Sequence, residues 1–140
     1  MPWSQYYECP FNDKGEIDMR PVEHHAPNRK GIYVIATKNG RTYNPQYIGR
    51  SGSSIWKRLK AHFSGKGNRV VASLLQAKRN GNYGGILPNA LYFAFLETDE
   101  HKLIEAAYID ANDRPICNLI RARLPEGLRE DAVLHSELED

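Results

Sequence analysis

The chain has 140 residues, 41% hydrophobic and 26% charged, which fits one compact soluble domain and argues against wholesale disorder. No apolar run approaches the roughly 20 residues that span a bilayer, and the opening Met1-Pro-Trp-Ser-Gln-Tyr-Tyr-Glu lacks the basic and apolar runs of a secretory signal. Cys9 and Cys117 are the only cysteines, too few for a disulfide scaffold or a structural zinc cage, so a cytoplasmic location and no membrane partner are expected.

The net charge of +2 conceals an uneven distribution. From His24 to Leu96 there is no Asp or Glu, yet the stretch carries 12 of the 19 Lys and Arg residues. Such a block puts positive potential on at least one face, and the partner it implies is a polyanion, with DNA the first choice. The plainer reading is a solvated basic surface.

In chain order, residues 1–30 read as a polar N-terminal arm with at most one short strand and a loose aromatic group, Trp3, Tyr6, Tyr7 and Phe11. His24 and His25 belong to that arm and not to a metal site. Gly31-Ile-Tyr-Val-Ile-Ala-Thr is β-branched and aromatic, hence a strand. Lys38-Asn-Gly-Arg41 is a hairpin turn, since Asn-Gly suits positive φ. The return strand bends at Asn44-Pro45, where a bulge or enlarged loop is expected, and continues as Gln46-Tyr-Ile-Gly49. Ser51-Gly-Ser-Ser54 caps a helix from Ile55 to Phe63, with Ile55, Leu59 and Phe63 as its buried stripe. Gly65-Lys-Gly-Asn68 ends that helix. A second follows, with Val70, Val71, Leu74 and Leu75 inward. After a Gly-rich loop, Ala90 to Leu96 form a third, central strand. Thr98 or Asp99 caps a third helix carrying Leu103, Ile104, Ala107 and Tyr108, which Pro115 stops. The tail, 121–140, is acidic and helical in pattern. The fold class is therefore α/β, a small central antiparallel three-stranded sheet flanked by helices.

Gly31-Ile32-Tyr33 and Tyr47-Ile48-Gly49 together resemble the name-giving motif of the GIY-YIG nuclease superfamily. Lys57-Arg58-Leu59-Lys60-Ala61-His62-Phe63 resembles the family's first helix with its Arg. Glu105 resembles its metal-binding Glu, and Pro115-Ile-Cys-Asn118 resembles its closing segment. The pattern runs through a domain placed at 31–120. Two features depart from it. The connection from Val34 to Gln46 is long, and Arg50 stands where many members carry Lys.

The resemblance implies a compact endonuclease, of restriction or of phage and mobile-element type, that hydrolyses phosphodiester bonds in DNA and leaves 5′-phosphate and 3′-hydroxyl ends. Tyr33 is the expected general base, Tyr47 positions phosphate or water, Arg58 offsets transition-state charge, and Glu105 holds Mg2+, with Mn2+ as a substitute. Gly31, Gly49 and Asn118 support the site. Four residues separate Arg58 from His62 on one helix, so they share a face, read as lying off the apolar stripe. His62 would orient a phosphate oxygen or exchange a proton. Lys30, Arg50, Lys57, Lys60, Lys66 and Arg69 are the expected nucleic-acid contacts, and duplex cleavage would call for a homo-oligomer.

The residues also admit plainer roles. Tyr33 and Tyr47 could be an aromatic cross-strand pair filling the core, Arg58 and His62 a solvated basic face, and Glu105 an ordinary exposed helix residue. The alternative functions are a non-catalytic nucleic-acid-binding module on the same fold, a nuclease of single-stranded DNA or RNA, and a protein-interaction subunit that docks through its acidic tail.

Overall fold

The computed structural model describes residues 3–81 and 88–99, the Val70 side chain excepted. The predicted third helix, Glu105, Asn118 and the acidic tail lie outside the described residues. Seven elements follow one another: β1 (Tyr7–Pro10), α1 (Arg20–His25), β2 (Gly31–Asn39), β3 (Thr42–Ser51), α2 (Ile55–Phe63), α3 (Arg69–Arg79) and β4 (Ala90–Glu97).

The sheet is antiparallel throughout, in the order β1-β4-β2-β3, and so has four strands where the sequence predicted three. The extra strand is the short one foreseen in the N-terminal arm, which pairs into the sheet beside β4. Tyr7 faces Phe93 and Cys9 faces Leu91 across the β1–β4 ladder. Both join the core on the helical side of the sheet, while Glu8 and Pro10 stay exposed. Pro10 cannot donate to a ladder and is tolerated because β1 is an edge. The segment also holds α1, started by Pro21 in its first turn and anchored by the buried Val22.

In the β2–β3 hairpin, Tyr33 pairs with Gly49 and Ile35 with Tyr47, but Ala36 pairs with Pro45. Gln46 is thus the extra residue of a bulge, and its side-chain amide donates to Thr37 Oγ1 and to the Asn44 carbonyl at 3.2 Å each. The bulge reverses the facing of β3. Tyr47 lies with Tyr33 and Ile35 on the helical face. Beyond the bulge, Tyr43 lies on the opposite face, stacked on Tyr6 at 4.0 Å, with Lys38 over its ring.

Each face has its own core. On the helical face Cys9, Tyr33, Ile35, Tyr47, Leu91 and Phe93 meet Val22, Ile55, Leu59, Phe63, Val71 and Leu75. On the other, Ile32, Val34, Ile48, Ala94 and Leu96 form a smaller cluster against Trp3 and Tyr6. The stripe predicted for α2 is therefore correct, with Ile55, Leu59 and Phe63 all buried.

The start of α2 is tied to the strand end. Ile55 N–H donates to the Arg29 carbonyl and Trp56 N–H to the Pro27 carbonyl, each at 2.9 Å. Lys57 N–H donates to Ser54 Oγ at 3.1 Å and Arg58 N–H to the Ser54 carbonyl at 3.2 Å. Those four donors are satisfied by protein, so this helix terminus is not an anion cradle. Gly31 permits the docking. Its φ is +159°, and a Cβ there would run into the Leu96 carbonyl and the Ile55 side chain. We expect Gly31→Ala to destabilise the domain by about 2 kcal/mol or more in chemical denaturation. A loss under ~0.5 kcal/mol would show that this junction is not tightly packed.

Candidate active site

Two glycine-bearing tripeptides and one helix build the site. Tyr33 and Tyr47 are diagonal neighbours on the helical face of the hairpin, with ring centroids 6.2 Å apart. α2 crosses that face and delivers His62 between them, 5.5 Å from the Tyr33 ring and 4.7 Å from the Tyr47 ring. Tyr33 Oη lies 2.7 Å from His62 Nε2. Gly49 makes room for this contact, because a Cβ there would collide with the Tyr33 phenol. The tripeptides thus divide by facing. The tyrosines line the site, the isoleucines fill the opposite core, and the glycines allow close approach.

The other ring nitrogen of His62 is also engaged. Nδ1 receives the backbone N–H of Asn68 at 3.0 Å, and a Cβ on Gly67 would strike the imidazole. Asn68 is itself buried, and its side chain caps α3 by accepting from Val71 N–H at 3.0 Å. Sequence reasoning treated Gly65 to Asn68 as a helix stop only. Asn immediately before a helix is an N-cap signal, but its contact with His62 runs through the main chain, which residue identity does not reveal.

Tyr33, Tyr47 and His62 are each 0% exposed. For His62 this corrects the reading of its face as lying off the apolar stripe, and it removes the plainer alternative of a solvated basic face for that residue. The helix is buried over a wider arc than that stripe, and a hydrogen-bonded imidazole is accommodated within it. Arg58 is half-buried one turn earlier. Burial, and secondarily the positive charge of Arg58, push the His62 pKa down to about 3.

The other predicted contacts are dispersed. Lys57, Lys66 and Arg69 are exposed. Lys30 is exposed and lies 3.3 Å from Asp99. Lys60 sits over the Trp56 ring and 3.6 Å from Glu23. Arg50 is buried, and strand alternation puts it on the Ile48 face, away from the tyrosines. A cleft of about 460 Å³ lined by Arg29, Lys30, Gly52, Ser53, Glu97, Thr98 and Asp99 opens at the end of the sheet where Gly31, Ser51 and Glu97 align. Its two cations face two carboxylates, with Arg29 3.7 Å from Glu97, so it is a mixed-charge groove and not a purely basic one. Among the described residues no three His, Cys, Asp or Glu side chains converge on a metal position, and no helix is long and apolar enough to cross a membrane.

The chain is a four-stranded α/β domain with two tyrosines and a histidine gathered on one sheet face. A family model of the GIY-YIG catalytic domain matches residues 29–115, well over half of the chain, and the chain belongs to the GIY-YIG nuclease superfamily. The domain family is one of endonucleases, so membership implies a nuclease-type function. No curated protein and no solved structure matches the chain significantly.

The depressed His62 pKa has a measurable consequence. The unfolded chain binds the His62 proton near pH 6.5, whereas the folded chain binds it only near 3. Its contribution to stability is therefore complete above about pH 6.5 and is lost as pH falls toward 3, at up to ~1.4 kcal/mol per pH unit. Between pH 7.5 and 5 we expect wild type to lose ~2 kcal/mol more than His62→Gln in guanidinium unfolding. Equal losses would place His62 in contact with solvent.

Proposed function

We propose that this chain is a metal-dependent endonuclease that hydrolyses phosphodiester bonds in DNA. The observation that carries the reading is the contact of Tyr33 Oη with His62 Nε2 at 2.7 Å, with the Tyr47 ring packed on the imidazole, inside a domain of nuclease lineage.

In the proposed reaction Tyr33, as phenolate, takes a proton from water. The water oxygen bonds to phosphorus while the bond to the 3′ oxygen breaks; the leaving alkoxide takes a proton from solvent, giving a 5′-phosphate and a 3′-hydroxyl, and Tyr33 returns its proton to solvent. Tyr47 positions the phosphate or the water, and Arg58 offsets the charge that develops on the phosphoryl oxygens. Glu105 is the proposed ligand of Mg2+. One carboxylate with water and phosphate oxygens is an oxygen-only donor set that suits a hard cation. Bound there, the cation would neutralise charge on the leaving 3′ oxygen. Cleaving both strands of a duplex would require two such sites, hence the proposed homo-oligomer. Lys30, Lys57, Lys66 and Arg69, all exposed, are the proposed phosphate contacts.

A second reading rests on the burial of the trio. Attack by water requires solvent to reach an oxygen that the structure encloses. If Tyr33, Tyr47 and His62 are core and nothing more, the domain is a nucleic-acid-binding module that does not cut.

Plasmid cleavage with Mg2+ or EDTA, wild type beside Glu105→Ala, separates the two. The nuclease reading expects nicking or linearisation that requires the metal and falls about a hundredfold or more in the variant. No cleavage of single- or double-stranded DNA or RNA, with binding intact, selects the binding module. In either case log affinity should fall linearly with log salt. Lys57→Ala with Lys66→Ala should reduce that slope by about two, and an unchanged slope would remove both from the interface.

A further inference from the structure

We infer that the Gly67–Asn68 turn is a positioning element that fixes the tautomer of His62 and so the direction of the hydrogen bond to Tyr33; the catalytic part of this inference rests on the reading of Tyr33 as general base. A backbone N–H can only donate. Because the Asn68 N–H is directed at Nδ1 from 3.0 Å, that nitrogen must present its lone pair. A neutral imidazole then carries its proton on Nε2, the nitrogen 2.7 Å from Tyr33 Oη. His62 therefore donates and Tyr33 accepts.

The direction decides the chemistry. In the opposite tautomer the phenol would donate to Nε2, its proton held by the imidazole. In the tautomer set by the turn, the phenolic proton points away from His62, and the N–H supports the phenolate once that proton leaves. Gly67 completes the device, because only a residue without Cβ lets the main chain pass this close to the ring. The Asn68 side chain has a separate task, capping α3. Neither residue needs to touch substrate.

The test is the ¹⁵N–¹H correlation spectrum of the imidazoles in the full chain at pH 7, with His62→Gln to assign the His62 signals. The inference expects the proton on Nε2. A proton on Nδ1, or on both nitrogens, overturns it. Asn68→Ala keeps the backbone N–H and loses only the side-chain cap, so it should retain the Nε2–H tautomer, and a shift of the proton to Nδ1 there overturns the assignment of the tautomer to the main-chain N–H. Asn68→Pro, which removes the N–H, should give mixed tautomers and a fall of about tenfold in kcat with KM unchanged. Retention of the Nε2–H tautomer in Asn68→Pro overturns the role of the turn, and a changed tautomer with undiminished kcat overturns its catalytic part. Should Asn68→Pro not fold, the wild-type spectrum still decides the tautomer, and Gly67→Ala, whose Cβ would strike the ring, takes its place: it should give mixed tautomers, and an unchanged Nε2–H signal overturns the role of the turn. The spectra do not depend on cleavage, so failure of the nuclease reading is seen separately, in the loss of the Glu105-dependent reaction.

Discussion

The hydrogen bond between Tyr33 Oη and His62 Nε2 is the contact around which the domain is arranged. It joins two polar groups in a fully buried setting, where either one alone would cost more than an exposed partner could return. Both groups therefore have to arrive in register. Gly49 on the strand and Gly67 beyond the helix supply the clearance, since a Cβ at either position would occupy the space of one partner. The Asn68 N–H satisfies the remaining nitrogen of the ring. A buried histidine with both nitrogens engaged has no place for a second proton, which agrees with the low pKa that burial gives it.

The rest of the fold keeps that register. The bulge at Gln46 holds Tyr47 on the helical face while the hairpin beyond it turns Tyr43 to the other side. The junction of Pro27, Arg29 and the first turn of α2 sets where the helix begins, and His62 stands two turns along from it. The sheet is closed on its far side by β1, whose Tyr7 packs on Phe93 at 5.4 Å and extends the same core. Strands, bulge and helix start thus act on a single position, the imidazole between two phenols.

Much of this was legible in the sequence because it rests on local chemistry. Asn39-Gly40 marks the hairpin, Pro45 marks the irregular return, and the four-residue spacing of Ile55, Leu59 and Phe63 gives both the extent and the buried side of α2. What escaped is non-local or carried by the main chain. A short strand was foreseen in the arm but its place in the sheet was not, because β1 is only four residues long and its partner β4 lies some eighty residues away in sequence. The burial of His62 was hidden by its neighbours Lys57, Arg58 and Lys60, which give the helix the look of a solvated basic face. The Asn68 contact uses a backbone amide, which every residue but proline possesses, so no side-chain pattern could announce it. Arg50 illustrates the converse. Its charge suggests a phosphate contact, but its strand parity sends it to the buried side of the sheet away from Tyr33.

In the proposed reaction the buried phenol of Tyr33 performs chemistry and does not merely fill the core. Single-turnover cleavage by Tyr33→Phe beside wild type tests it most directly, because the substitution keeps the ring and removes only the oxygen that faces His62. With folding verified by circular dichroism and DNA affinity unchanged, the cleavage rate should fall about a hundredfold or more. Undiminished cleavage would contradict it and leave the Tyr33–His62 contact as a packing interaction.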